Sequence, residues 1–200
     1  MLAVILIFCA GSVQVDLSTP KEAAKSLYRA VQAGDAEGIM QTLDADAEHQ
    51  PLVSALAELL VTTKHLGDAA KAKFGDAAGK LGSGTNIPED LQQVESAVVS
   101  EKDGAATIQI ANQLAPMVFH KRDAGWKLDI TDYFNAHDSI ASQTKLLRNF
   151  SEQLKLATEE MVAGRFSTPA EAETAIQQRF NEVMIKSVNP SSQPATAPAK

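Results

Sequence analysis

Apolar positions along the chain follow three rhythms. From Thr19 to about Phe74 they recur at three- and four-residue steps, from Gln92 to Ile130 they alternate, and from Asp138 the helical step returns. Thr19-Pro20-Lys21-Glu22 has the composition of a helix start. A threonine can accept from an early backbone N–H, proline suits the first helical position, and a glutamate can reach back. Ala23, Ala24, Leu27 and Val31 then mark one face, and Gly34 ends the helix. Asp35 caps a second short helix with Ala36, Ile39, Met40 and Leu43 inward. A longer one follows Pro51 through Leu52, Leu56, Leu59 and Leu60 towards Gly67, resuming from Asp68 to Phe74. Four glycines between Gly75 and Thr85 break any helix there.

The alternating region predicts strands over Val94–Val99, Ala106–Ile110, Pro116–Lys121 and Trp126–Ile130. Lys102-Asp103-Gly104 and Asp123-Ala124-Gly125 supply the hairpin turns. Ile108, Ile110, Met117, Phe119, Trp126, Leu128 and Ile130 share one face, while Thr107, Gln109, His120, Lys127 and Asp129 fall on the other. Such a sheet buries one side and wets the other. Beyond Asp138, Ile140, Leu147, Phe150, Leu154, Ala157 and Met161 trace a helix to Gly164. Ser167-Thr168-Pro169-Ala170-Glu171 then opens another, with Ile176, Phe180, Val183 and Met184 inward. That opening repeats the chemistry of Ser18 to Glu22, and the same capping need arising twice accounts for it.

Composition narrows the function classes. Of 200 residues 44% are hydrophobic and only 5% aromatic, so aliphatic and alanine packing must carry the core. A net charge of −7 argues against a nucleic-acid backbone or an anionic membrane surface as the main partner. A single cysteine, Cys9, excludes a disulfide framework, a cysteine zinc cluster and an iron–sulfur centre. The run Met1 to Ala10 is far shorter than the roughly 20 residues of a membrane-crossing helix. It suits the apolar part of an export leader, with Ala10-Gly11-Ser12 as the small residues a peptidase needs, although no basic residue precedes it. The alternative is a buried N-terminal strand of a cytoplasmic protein. Residues 187–200, with three prolines and no apolar period, read as a tail.

Ser18-Thr-Pro-Lys-Glu-Ala-Ala-Lys-Ser-Leu-Tyr28 running on to Gly34-Asp35 resembles the opening helix pair of small bacterial exported proteins of the nuclear-transport-factor-2-like, or ketosteroid-isomerase-like, superfamily. Ala106-Thr-Ile-Gln-Ile110 and Asp123 to Ile130 are similar to that group's sheet hairpins. The resemblance implies a curved sheet wrapped on helices as a cone, sometimes with an open cavity. The helices from Pro51 to Phe74 exceed the family's usual connection, and a helical pair follows where the family normally ends on its sheet. No catalytic residue transfers, since no motif marks the family's acid–base positions.

Direct searches for chemistry return little. His49, His65, His120 and His137 are scattered, and none pairs at metal-ligand spacing. No Gly-x-Ser-x-Gly turn is present. Gly75 to Leu81 is too short for a phosphate loop and has leucine where magnesium chemistry needs a hydroxyl. His137-Asp138 near Asp132 lies at a strand-to-helix junction, where Asp138 suits an N-cap. His120 and Asp129 read as a solvated cross-strand pair.

The sequence therefore predicts an α+β protein: N-terminal helices, a four-stranded antiparallel curved, cone-like sheet and a long C-terminal helical pair. The expected divisions are a leader over 1–12, the cone-like domain over 18–134, a helical extension over 138–186 and the tail over 187–200. The expected pocket is Tyr28, Met117, Phe119, Trp126, Leu128 and Ile130, with His120, Asp129, Asp132 and His137 as polar candidates. No cofactor, metal, nucleic acid or stable membrane span is expected. The leading function is an exported, periplasmic or secreted, non-enzymatic module that binds a protein partner or an apolar small molecule. Pairing of two copies through the C-terminal helices is one form of it. The alternative is a small cofactor-free lyase or isomerase, which would need an inward Asp, His or Tyr with a shifted pKa.

Overall fold

Each helix start acts as its residue types require. In the computed structural model, which describes residues 13–79, 81, 87–111, 115–131, 134 and 138–188, Thr19 accepts from the Glu22 N–H and opens α1 (Pro20–Ala33). Gly34 closes it in the left-handed conformation, and Asp35 accepts from the Gly38 N–H to open α2 (Ala36–Thr42). The expected leader over 1–12 with Cys9, the tail from Asn189 onward, and Asp132, Tyr133 and His137 lie outside the described residues.

The chain is α+β, with six α-helices among the described residues and one five-stranded sheet. The sheet is mixed rather than four-stranded and purely antiparallel. After α2 the two residues of β1 (Leu43–Asp44) extend and pair in parallel with Leu128 and Asp129. β2 (Val98–Lys102), β3 (Ala105–Gln109), β4 (Met117–Arg122) and β5 (Gly125–Asp129) are the expected antiparallel set, giving the order β1-β5-β4-β3-β2. Leu43, read as the inner edge of a helix, thus keeps its inward position as a strand residue. Burial is indifferent to which element delivers a side chain.

Both tight turns follow from their residues. Asp103 and Gly104 have positive φ (50° and 78°), the conformation a two-residue hairpin matched to sheet twist demands. Gly125 has φ 119°, and a Cβ there would collide with the Leu17 carbonyl, which accepts from the Trp126 N–H at 2.8 Å. The segment before α1 is laced down in the same way. The buried Ser26 hydroxyl accepts from the Asp16 N–H at 2.9 Å and donates to the Asp16 carbonyl at 3.1 Å.

Four expected boundaries are corrected. Val94 is a helical residue of α4 (Ile87–Ser96), not the start of a strand. It is fully buried and joins partly buried Leu91, one turn earlier, against the sheet core. Lys25 on α1 pairs with Glu95, and the Lys21 ammonium donates to the Glu95 carbonyl at 2.6 Å. The helix after Pro51 is not interrupted at Gly67: α3 is continuous over Gln50–Phe74. Burial of Leu66 and Ala70 on either side outweighs the roughly 1 kcal/mol that glycine costs a helix interior. Ser139, not Asp138, caps α5 (Ile140–Val162). α6 (Pro169–Val188) opens on a reciprocal box in which Thr168 accepts from the Glu171 N–H and Glu171 from the Ser167 N–H, and it claims two residues expected of the tail.

Two apolar clusters share α3. Its first half sends Val53 and Ala57 into the core beneath the sheet, and its second half sends Leu66 and Ala70 into a cluster with Leu154, Ala157, Met161 and Ala172. Lys155 pairs with Glu58, and further along both helices Lys73 donates to the Met161 carbonyl, so α3 and α5 run in the same direction. α6 folds back on α5, with the Phe150 and Phe180 rings 4.7 Å apart.

Candidate functional site

The expected pocket is core. Phe119 is fully buried, Met117, Trp126, Leu128 and Ile130 nearly so, and they pack with Ile108, Ile110, Ile39 and the alanines of α1. Tyr28 packs partly buried at the edge of that cluster. The alternation that brought these residues to notice is the alternation of a sheet face closing on helices. Among the described residues the inward strand positions carry only apolar side chains.

The opposite face carries the polar candidates. His120 Nε2 and Asp129 Oδ2 lie 3.0 Å apart on adjacent strands, the cross-strand pair expected. Burial alone would raise the Asp129 pKa. Hydrogen bonds from the Thr131 hydroxyl and backbone, at 2.6 and 2.8 Å, and from His120 outweigh it and hold the carboxyl below its ordinary value. Parallel pairing sets Asp44 beside Asp129. There Arg122 grips it through two bonds, Nε to Oδ1 at 3.0 Å and Nη2 to Oδ2 at 2.5 Å. Asp46 accepts from the His49 ring at 2.7 Å and from the His49 N–H at 2.9 Å, and the ring bond is the main cause of its lowered pKa.

Asp44, Asp46, His49, Arg122 and Asp129, with Lys121, Asp123, Lys127 and Thr131, line an open polar groove of about 770 Å³. Asp44, Asp46 and Asp129 in it are each bonded to a neighbouring side chain. The Asp46 and Asp129 shifts both run downward, so neither carboxyl is kept protonated at neutral pH to serve as an acid. No group of three metal-ligating side chains occurs among the described residues. Sequence reasoning found His120 and Asp129 but missed Asp44 and Arg122, which meet only because β1 joins the sheet edge 78 positions away in sequence.

A second groove is apolar. It lies among α3, α5 and α6, measures about 330 Å³, and is walled by Leu59, Leu66, Phe150, Leu154, Ile176 and Phe180. Thr63, Glu173 and Gln177 are its polar members. Most of the wall residues were legible as stripes on the C-terminal helices. What the stripes do not say is that α3 supplies the third wall and that the three fail to close. Leu154 and Leu66 are buried, yet Phe150, Ile176 and Phe180 are only partly so. Elsewhere on the same helices Val162 and Ile185 stand exposed. Among the described residues no helix is long and apolar enough to cross a membrane. No family model matches the chain, and neither a curated protein nor a solved structure does.

Proposed function

We propose that this chain is an exported, non-enzymatic binding module whose ligand is a small apolar molecule held between α3, α5 and α6. The observation that carries the reading is the contrast between a sheet core whose apolar side chains are buried against one another and an open apolar groove of about 330 Å³ in the helical layer. That volume lies at the lower end of small-molecule sites, and a mostly apolar lining with a few polar groups is their usual make-up. The enzyme alternative, a lyase or isomerase working inside a cone-like sheet, needs a polar group within the apolar layer. Phe119, Ile108 and Ile110 occupy that layer, while His120 and Asp129 lie on its other side, which favours binding over catalysis. The export part of the reading rests on the apolar run ending in Ala10-Gly11-Ser12.

The test combines native mass spectrometry of the protein from its own host with titration by the neutral apolar dye Nile red. A monomer whose mass begins near Val13 is the expected species, and a mass beginning at Met1 overturns export. Dye binding should weaken at least about tenfold when Ile176→Trp fills the groove. Thr63→Leu, which narrows the opposite wall, is the second variant should the first not fold. Binding unchanged by both variants overturns the site. A dimer that either variant dissolves overturns the small-molecule reading in favour of two copies meeting at this face.

A further inference from the structure

The apolar groove has one charged side chain in its described lining, Glu173 on α6. Gln177 lies one turn further along the same helix. The Glu173 carboxylate is exposed and has no hydrogen-bond or ion-pair partner among the described residues. Other acids of these helices are engaged: Glu160 by Arg165 and Arg179, Glu58 by Lys155, and Glu171 by the Ser167 N–H. Among the described residues no lysine or arginine lines the groove to balance Glu173 or to receive an anion.

Resting on the groove reading above, we propose that the ligand is an amphiphilic cation. Its alkyl or aryl tail lies against Leu66, Phe150, Leu154 and Phe180, and its ammonium stands at Glu173. The charge of the site decides the class. A fatty acid would bring its carboxylate to an unpaired carboxylate on a chain of net charge −7, whereas an amine meets attraction from Glu173. A neutral alcohol gains the tail contacts alone.

Calorimetric titration with three probes of equal tail length, decylammonium, 1-decanol and decanoate, separates the parts. Decylammonium should bind about fivefold more tightly than 1-decanol, the size of one partly exposed charge contact, with decanoate the weakest. Glu173→Gln should bring decylammonium to parity with 1-decanol while leaving 1-decanol itself unchanged. Equal binding of all three probes, or tightest binding of decanoate, overturns the cation and leaves the groove standing. A preference for decylammonium that survives Glu173→Gln overturns the role of Glu173. No binding of any probe overturns the groove and the cation together.

Discussion

The two cores are built to different standards. Beneath the sheet, Phe119, Ile39, Ile108, Ile110, Val53 and Val94 are all essentially sealed from solvent, and the buried hydroxyls of Ser26 and Thr42 are bonded. In the helical layer Met161, Ala157 and Ala172 reach the same burial, but Phe150, Ile176 and Phe180 stay half open. Buried atoms of Thr144 (Oγ1) and Arg179 (Nη1) have no partner there among the described residues. A sheet face is a continuous surface that helices can cover side by side. Three helices meet along lines, and where large aromatics alternate with small residues the lines do not close. The tight core is sealed, and the loose one leaves an open groove.

The sharpest way to break this contrast is to cut the same kind of hole in both. Phe119→Ala should cost about 4 kcal/mol, because the site is sealed on every side and cannot collapse. Met161→Ala, equally buried but among alanines and beside an open groove, should cost about 2 kcal/mol. Urea denaturation reads both, and hydrogen exchange should place the second loss in α5 and α6 alone. Equal costs spread over the whole chain would mean a single core.

A smaller effect comes from the polar face of the sheet. The Asp129 carboxyl titrates below its ordinary value of 3.8 in the folded chain, so its bonds to Thr131 and His120 stabilise the fold fully above that pH. The contribution fades as the pH falls through the lowered folded value. Asp129→Asn should therefore destabilise by about 1 kcal/mol at neutral pH. The difference from the parent should shrink on acidification, as thermal melts across the acid range would record. A difference constant with pH would show that the bonds do not depend on the charge.

The finest comparison uses matched caps. Thr19 and Thr168 accept the same backbone bond at the same 3.2 Å, one opening α1 beneath the sheet and the other opening α6 beside the groove. Each threonine-to-alanine change should cost about 1 kcal/mol locally. With Thr19→Ala the loss should appear in the global midpoint, because α1 is locked between the sheet and α4. With Thr168→Ala it should appear first as faster exchange of the α6 amides. The reverse order would make the helical layer the more cooperative part.

Local chemistry along the chain was largely legible. Thr19, Asp35 and Thr168 mark helix starts, Asp103-Gly104 marks a hairpin, and the alternation through Met117, Phe119, Trp126 and Leu128 marks a buried face. Each of these is decided within four residues or by a strict period. Continuity through Gly67, the helical state of Val94 and the two-residue strand at Leu43 were not legible. In all three, partners distant in sequence override a weak local preference. The site was half legible. Phe150, Leu154, Ile176 and Phe180 were visible as apolar stripes, but a stripe has the same appearance whether its partner covers it fully or leaves a gap.

The sequence by itself determined the three rhythms, the capping and turn residues, the apolar face of the sheet and the negative charge that disfavours polyanionic partners. These depend on side-chain type and short-range geometry, which the order of residues specifies directly. Only the tertiary structure decided that α3 serves both cores, that Asp44 meets Arg122 and that the residues expected to form a pocket are buried or partly buried beneath the sheet. It also decided that an apolar groove opens between α3, α5 and α6, with Glu173 in its lining. Whether apolar surfaces close completely depends on how whole elements cross and on the volumes that meet there. That is a property of the packed assembly, and no local pattern carries it.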